Sequence, residues 1–490
     1  MPRPRTVLTA AGAALLGAAG WYLLAKRSHD ERGPVGKTTR AARTSELAAI
    51  AAKASGSVAA HKAKSAFTTD PAKREALEEQ FQLRTAEHVA EALGNMKGAL
   101  MKLGQMASYI DQGVPEPIRD ALASLQSDAP PMAAALAREC VEKELGAPID
   151  ELFATFDDTP LASASIGQVH KATLHDGRAV AVKVQYPGVD EAIKADLANA
   201  GIIFQAVQML FPGVDPGPIV QEIKDRVIEE LDYRLEARNQ QLFADFYRGH
   251  PFILIPEVVH DRCGATVLTT QLMEGARFDE VRGWSQHERD LAGETIYRFV
   301  FRSLWHLHAF NGDPHPGNYL FQGDGKVVFL DFGLVKHFEP GDLDVLHEML
   351  HHYVFTRDMK AFREATERAG FLLPGADVSD EMVAEYNGHW YDFILDDAER
   401  EATPEWSSES VRRYFSPTGE FAPLMKVMNV PQQFVITNRI NLGLFAVLGD
   451  LRATRRWRLI AEELWPWVDR EPSTPLGEQE AAWLAASPSR

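Results

Sequence analysis

Apolar residues recur at helical spacing between Phe81 and Ile110: Leu83, Val89, Leu93, Met96, Leu100, Leu103 and Met106. This period predicts a helix that ends before Gly113 and Pro115. A second helix is expected from Met132 to Leu145, opened by Pro130-Pro131 and closed by Gly146. The period then changes to two. Val169–Leu174 and Ala179–Gln185 flank an Asp176-Gly177 turn and predict a β-hairpin. Helical spacing returns over Val189–Leu210 and Pro218–Tyr247, and short β-rich runs follow at Phe252–Ile255 and Thr266–Leu272. Leu291–Phe310 reads as a mostly apolar helix. Tyr319–Phe321 and Lys326–Leu330 flank Gly323-Asp324-Gly325 and predict a second hairpin. Beyond Asp331 the chain reads as mainly helical to Trp467, and then as a polar, Pro-containing tail. No internal repeat is visible.

Composition changes this picture mainly at the amino terminus. The 490 residues are 45% hydrophobic and 24% charged, ordinary values for a globular chain long enough for two or three domains or one large bilobal one. Thr6–Ala25 is uncharged and lies between Arg3/Arg5 and Lys26/Arg27. Twenty residues in a helix span roughly 30 Å, one hydrocarbon core. Trp21 and Tyr22 would sit near an interface. A membrane anchor is expected, with the body in the cytoplasm because more positive charge follows the run than precedes it. A cleaved signal peptide is the rival, with Ala18-Ala19-Gly20 as processing region. Residues 1–74 carry 13 Lys or Arg against 4 Asp or Glu, which leaves −27 on the remainder of a chain of net charge −18. The basic segment suits anionic headgroups or a solvated linker. The acidic body argues against nucleic acid. Cys140 and Cys263 are too far apart in sequence for a metal motif and read as reduced, partly buried thiols.

The chemistry concentrates in Asn311-Gly312-Asp313-Pro314-His315-Pro316-Gly317-Asn318 and Phe329-Leu330-Asp331-Phe332-Gly333. Two carboxylates and an amide at this spacing suit magnesium, which takes oxygen ligands and shares them with nucleotide phosphates. Protein kinases place a catalytic-loop Asp, an Asn and the Asp of Asp-Phe-Gly in this order. Asp313 is then the catalytic candidate, and Asn318 and Asp331 are the metal candidates. Upstream, Ala162-Ser163-Ala164-Ser165-Ile166-Gly167-Gln168-Val169 keeps the last Gly and the Val of a kinase Gly-x-Gly-x-x-Gly-x-Val loop, with Ala at the first two Gly positions. On its own the loop is no more specific than a small-residue turn. Lys183 follows on a strand, alternating with Val180, Val182 and Val184, so it points away from them. Such a Lys holds the α/β-phosphates. Together these features predict ATP and Mg2+ in the cleft of an α+β bilobal protein-kinase-like fold.

The chain resembles the UbiB/AarF family of atypical kinases, which includes the mitochondrial coenzyme Q supporting kinases. The resemblance rests on Lys102-Leu103-Gly104-Gln105, the loop from Ala162 to His170, Glu230-Leu231-Asp232 and Asp313-Pro314-His315-Pro316-Gly317-Asn318. It implies that Lys102 and Gln105 lie on a helix roofing the nucleotide cleft, and that Glu230 and Asp232 face the same site. It also implies that Glu236 pairs with Lys183. Ser163 stands where many relatives have Ala, and its hydroxyl could add a phosphate contact. Asn311 stands where many relatives carry His. No Ala-Pro-Glu element follows Asp331, so a protein substrate is not expected.

The expected organisation is an anchor over residues 1–27, a basic linker over 28–80 and a helical extension over 81–150. A kinase-like N-lobe over 151–275, a helical C-lobe over 276–467 and a polar tail over 468–490 complete it. The resemblance implies a membrane-associated kinase or ATPase at a bacterial inner membrane, supporting ubiquinone or other isoprenoid-quinone or lipid metabolism. Its partners would be a lipid or quinone precursor and membrane enzymes. Two alternatives stand beside it: a small-molecule phosphotransferase, and a nucleotide-binding pseudokinase scaffold for membrane enzymes.

Overall fold

The computed structural model describes residues 132–164, 166–191, 193–194, 221, 224–225, 228–339, 341–407, 409, 420–429, 431 and 434–486. The expected anchor, the linker, the helix carrying Lys102 and Gln105, Ser165 and most of the Val189–Leu210 stretch lie outside these residues.

The first described helix, α1 (Ala134–Leu145), stops where expected, with Gly146 in the left-handed region at φ 76°. Strands β1 (Thr155–Phe156), β2 (Ala162–Ala164), β3 (Gly167–Thr173) and β4 (Ala179–Gln185) follow. The next helix is α2 (Tyr233–Phe246), and after it come β5 (Ile253–Leu254) and β6 (Val267–Gln271). The predicted hairpin is β3 and β4, turning at Gly177 with φ 90°. The five-stranded antiparallel sheet runs β1-β3-β4-β6, with β2 folded onto β3.

The Pro218–Tyr247 stretch differs from a single long helix. The chain turns at Glu230–Leu231 and restarts at Asp232, whose side chain accepts from the Arg234 amide at 3.0 Å. That N-cap begins α2 and fixes which of its faces points at the sheet.

The second lobe opens with α3 (Gln286–Arg302), capped by Ser285. The apolar run there does not stay helical to Phe310. A wider turn over Ser303–Leu307 ends at His308 with φ 50°, and the chain enters β7 (Ala309–Asn311). Strands β8 (Tyr319–Gly323), β9 (Lys326–Phe329) and β10 (Val335–His337) follow. The predicted hairpin β8–β9 is joined on its other edge by β5, parallel to β9. Helices α4 (Asp344–Leu350), α5 (Met359–Arg368), α6 (Asp380–Gly388), α7 (Val435–Leu451), α8 (Trp457–Leu464) and α9 (Pro475–Ala485) complete the lobe. No described helix is long and apolar enough to cross a membrane. Helix α7 buries Leu444, Val447, Leu448 and Leu451 in the core.

The segment expected as a polar tail contains α9. Thr474 caps it, Leu476 and Trp483 are buried, and Glu480 is buried against Arg298 and Arg302. Two separate hydrophobic cores result. One lies under the five-stranded sheet around Val180, Val182 and Val184, and the other fills the helical lobe around Phe310, Phe329 and Trp457. Helix α2 spans both: Tyr233 and Ala237 belong to the first core, Phe243 and Tyr247 to the second. This is the α+β bilobal kinase-like arrangement.

Candidate active site

Strand register decides which side chains reach the cleft. Residues directly opposite in an antiparallel pair share a face. Lys183 pairs with Val169 and Leu268, while Val184 pairs with Gln168 and Val182 with His170. Val169 and Lys183 therefore face the cleft, and Gln168 and His170 face the core beneath α1. There the Gln168 carboxamide accepts from the Met132 amide at 2.8 Å, and its nitrogen lies 2.8 Å from His170 Nε2. The Gln168 side chain is thus not a nucleotide contact, contrary to expectation. The Ile166 side chain is likewise buried in that core. Ser163 pairs with Gln168, which turns it to the face away from Lys183, and the expected phosphate contact from its hydroxyl falls away. Ala162 and Ala164 pair with Val169 and Gly167 on the cleft side. Gly167 has a steric reason to be Gly. A Cβ there would overlap the Val184 carbonyl oxygen and lie 3.0 Å from the Tyr233 hydroxyl.

Helix α2 brings the acidic partner. Glu236 follows Tyr233 by three residues, on the same helix face. Lys183 Nζ donates to both Glu236 carboxylate oxygens, at 2.7 and 2.9 Å, and lies 3.7 Å from Asp331 Oδ2. Burial alone would pull the Lys183 ammonium down, but Asp331 and Glu236 outweigh it and hold it well above its ordinary value. The pairing implied for Glu236 is the observed geometry. Further along α2, Asn239 donates to the Phe332 carbonyl at 3.2 Å, and Phe243 packs on Phe332 with ring centroids 4.9 Å apart. One helix therefore positions both the strand Lys and the Asp-Phe-Gly turn. Of the other implied residues, Glu230 is buried in the turn before α2 and Asp232 is its N-cap.

The segment around Asp313 is held from both sides. β7 pairs with β10, placing Asn311 opposite Val335 and so setting Asp313 beside the Asp331 turn. Asn311 Nδ2 donates to the Asp331 carbonyl at 2.7 Å, and its Oδ1 accepts from the Asp313 amide at 3.2 Å. Sequence reasoning noticed Asn311 without giving it a task. Its position two residues before Asp313 is the signal for such a turn-bridging amide. Asn318 Nδ2 donates to the Asp313 carboxylate and carbonyl, each at 3.1 Å. That leaves the Asn318 carboxamide oxygen as the acceptor for a cation. Asp331 Oδ1 accepts from the Gly333 amide at 2.9 Å, which fixes its rotamer. The donor set of one carboxylate and one amide oxygen fits Mg2+, which takes one or two protein oxygens and the rest from phosphates and water.

The comparisons with known proteins agree with this geometry. Residues 124–366 match the ABC1 atypical kinase-like domain. AarF domain-containing protein kinase 1 of Mus musculus is 32% identical over 303 residues, covering 59% of this chain and 57% of that protein. The mitochondrial atypical kinase COQ8 of Saccharomyces cerevisiae is 31% identical over 288 residues, covering 58% and 57%. The chain thus spans about half the length of the curated relatives it matches. The solved structure of Rv3197 with erythromycin, from Mycobacterium tuberculosis, is similar at 32% identity and a TM-score of 0.60, covering 81% of this chain and all of that one. A strand Lys paired to a helix Glu, an Asp-to-Asn loop and an Asp-Phe-Gly turn all fall inside the matched residues, and the chain belongs to the ABC1 family of atypical kinase-like proteins.

Proposed function

We propose that this protein binds ATP with Mg2+ in the cleft between its lobes and transfers the γ-phosphoryl group to water or a small hydroxyl compound. The observation that carries this reading is the Lys183–Glu236 pair at 2.7 Å with Asp331 3.7 Å from the same ammonium. Lys183 holds the α/β-phosphates, with its rotamer fixed by Glu236. Asn318 and Asp331 hold Mg2+, which when bound neutralises charge on the phosphates. Asp313, oriented by Asn318 and Asn311, positions the attacking hydroxyl and accepts its proton. By the family resemblance Lys102 and Gln105, outside the described residues, would serve to exclude peptides, and Glu230 and Asp232 line the cleft from the start of α2.

The COQ8 name of one relative supports a role in isoprenoid-quinone or other lipid metabolism at a membrane. The uncharged run from Thr6 to Ala25 would supply the attachment, and membrane enzymes would be the partners. Asp331→Asn is expected to abolish Mg2+-dependent ATP turnover by the purified chain, measured with and without liposomes and quinone-precursor analogues. Unchanged turnover would sink the assignment.

A further inference from the structure

A buried polar group on the cleft face takes no part in the reading above. Tyr233 is the first residue of α2 and is 1% exposed, with a buried hydroxyl that has no hydrogen-bond partner among the described residues. Its ring lies 5.0 Å from Lys183 Nζ, so the ammonium rests over an aromatic face as well as between two carboxylates. The hydroxyl lies 3.0 Å from where a Cβ on Gly167 would stand, at the root of the β2–β3 turn. Buried polar groups are almost always paired, and an orphan costs the free protein its desolvation. Apolar Phe would fill the same space without that cost, so the hydroxyl is out of place unless another state uses it. Burial also raises its pKa above the ordinary phenol value, which keeps it a donor.

We infer that Tyr233 is a phosphate-binding residue, whose hydroxyl donates to a phosphate oxygen of the nucleotide held beside Lys183. The inference rests on the proposed nucleotide site and deepens it. Phosphate is the acceptor that fits, because the group facing the Tyr233 ring is the Lys183 ammonium, and the carboxylates beside it, Glu236 and Asp331, are already bound to that cation.

The test is Tyr233→Phe in the full chain. Without nucleotide, its melting temperature should equal or exceed that of the parent protein, because an unpaired hydroxyl has been removed. Its affinity for MgATP and MgADP should fall roughly 10- to 100-fold, the worth of one hydrogen bond to a charged acceptor. Adenosine, which has no phosphate, should bind the two proteins equally. KM for MgATP should rise by the same factor with kcat little changed. Three outcomes overturn the inference: a lower melting temperature or failure to fold, an equal loss for adenosine, or unchanged MgATP affinity. Failure of the parent protein to bind MgATP would instead remove the nucleotide site and this inference with it.

Discussion

Glu236 shows how much one side chain can depend on a distant segment. It sits 53 residues from Lys183, is 4% exposed and is tied to it by two hydrogen bonds. Hydrogen bonds to charged groups contribute about 1.5–3 kcal/mol. Glu236→Gln keeps the shape and removes the charge, so kcat/KM for MgATP should fall roughly 10- to 100-fold, since each 1.36 kcal/mol is tenfold. A change under twofold would show that Lys183 needs no carboxylate to hold its rotamer. Lys183, Asp313, Asn318 and Asp331 were all legible from spacing, because their chemistry dictates residue type and order. Ser163, Ile166 and Gln168 were not. Whether each faces the cleft depends on register, and a motif does not state which strand lies opposite. The bridging role of Asn311 was equally hidden, because it needs both segments in place.

Among the elements, α2 and α7 carry information that the loops do not. Helix α2 begins at a cap that interrupts an otherwise helical stretch, and this break lets Tyr233 and Glu236 point at Lys183 while Asn239 reaches Phe332. Helical periodicity alone ran through the break, because Asp232 is compatible with either a cap or an exposed helix position. Helix α7 buries Leu444, Val447, Leu448 and Leu451 in the core, and its Gly443 has a use that periodicity does not reveal. A Cβ at Gly443 would overlap Pro314, the residue after Asp313, the proposed catalytic Asp. The helix therefore sets the height of the catalytic loop. Gly443→Ala forces one of the two to move, and overpacking of this kind costs about 1–3 kcal/mol. ATP turnover should fall at least about tenfold while the chain still unfolds cooperatively in thermal denaturation. Normal turnover would mean that the loop height is set elsewhere.

Across the whole molecule, stability should depend on acid in a definite way. The helical lobe holds a buried ion network: Arg298 meets Glu294, Glu463 and Glu480 at 2.8–2.9 Å, and Arg302 meets Glu480 at 2.5 Å. Burial pushes the Glu480 carboxyl up, but Arg302, a hydrogen bond from His250 and Arg298 outweigh it and hold it well below 4.5. His170, His250 and His306 are held below the ordinary 6.5, in each case chiefly by burial. Below pH 6.5 the unfolded chain binds protons that the folded imidazoles refuse, so stability is full above that value and lost as pH falls. Below 4.5 the unfolded Glu480 takes a proton that the folded carboxylate refuses, and the loss steepens. Melting temperature should therefore be level between about pH 7 and about pH 8 and decline through pH 6 to 4. A maximum near pH 5 would contradict the buried, neutral imidazoles. The sequence taken alone determined the kinase-like order of elements, the two hairpins and the kinase-like spacing of Lys183, Asp313, Asn318 and Asp331, because local periodicity and residue type are written residue by residue. It left open which loop side chains turn to the core, how a terminal segment with Glu480 becomes a packed helix, and why Gly167 and Gly443 must be Gly. Those were decided by contacts between distant segments, such as His250 with Glu480, 230 residues apart, where burial and pairing are properties of neighbours that no local pattern names.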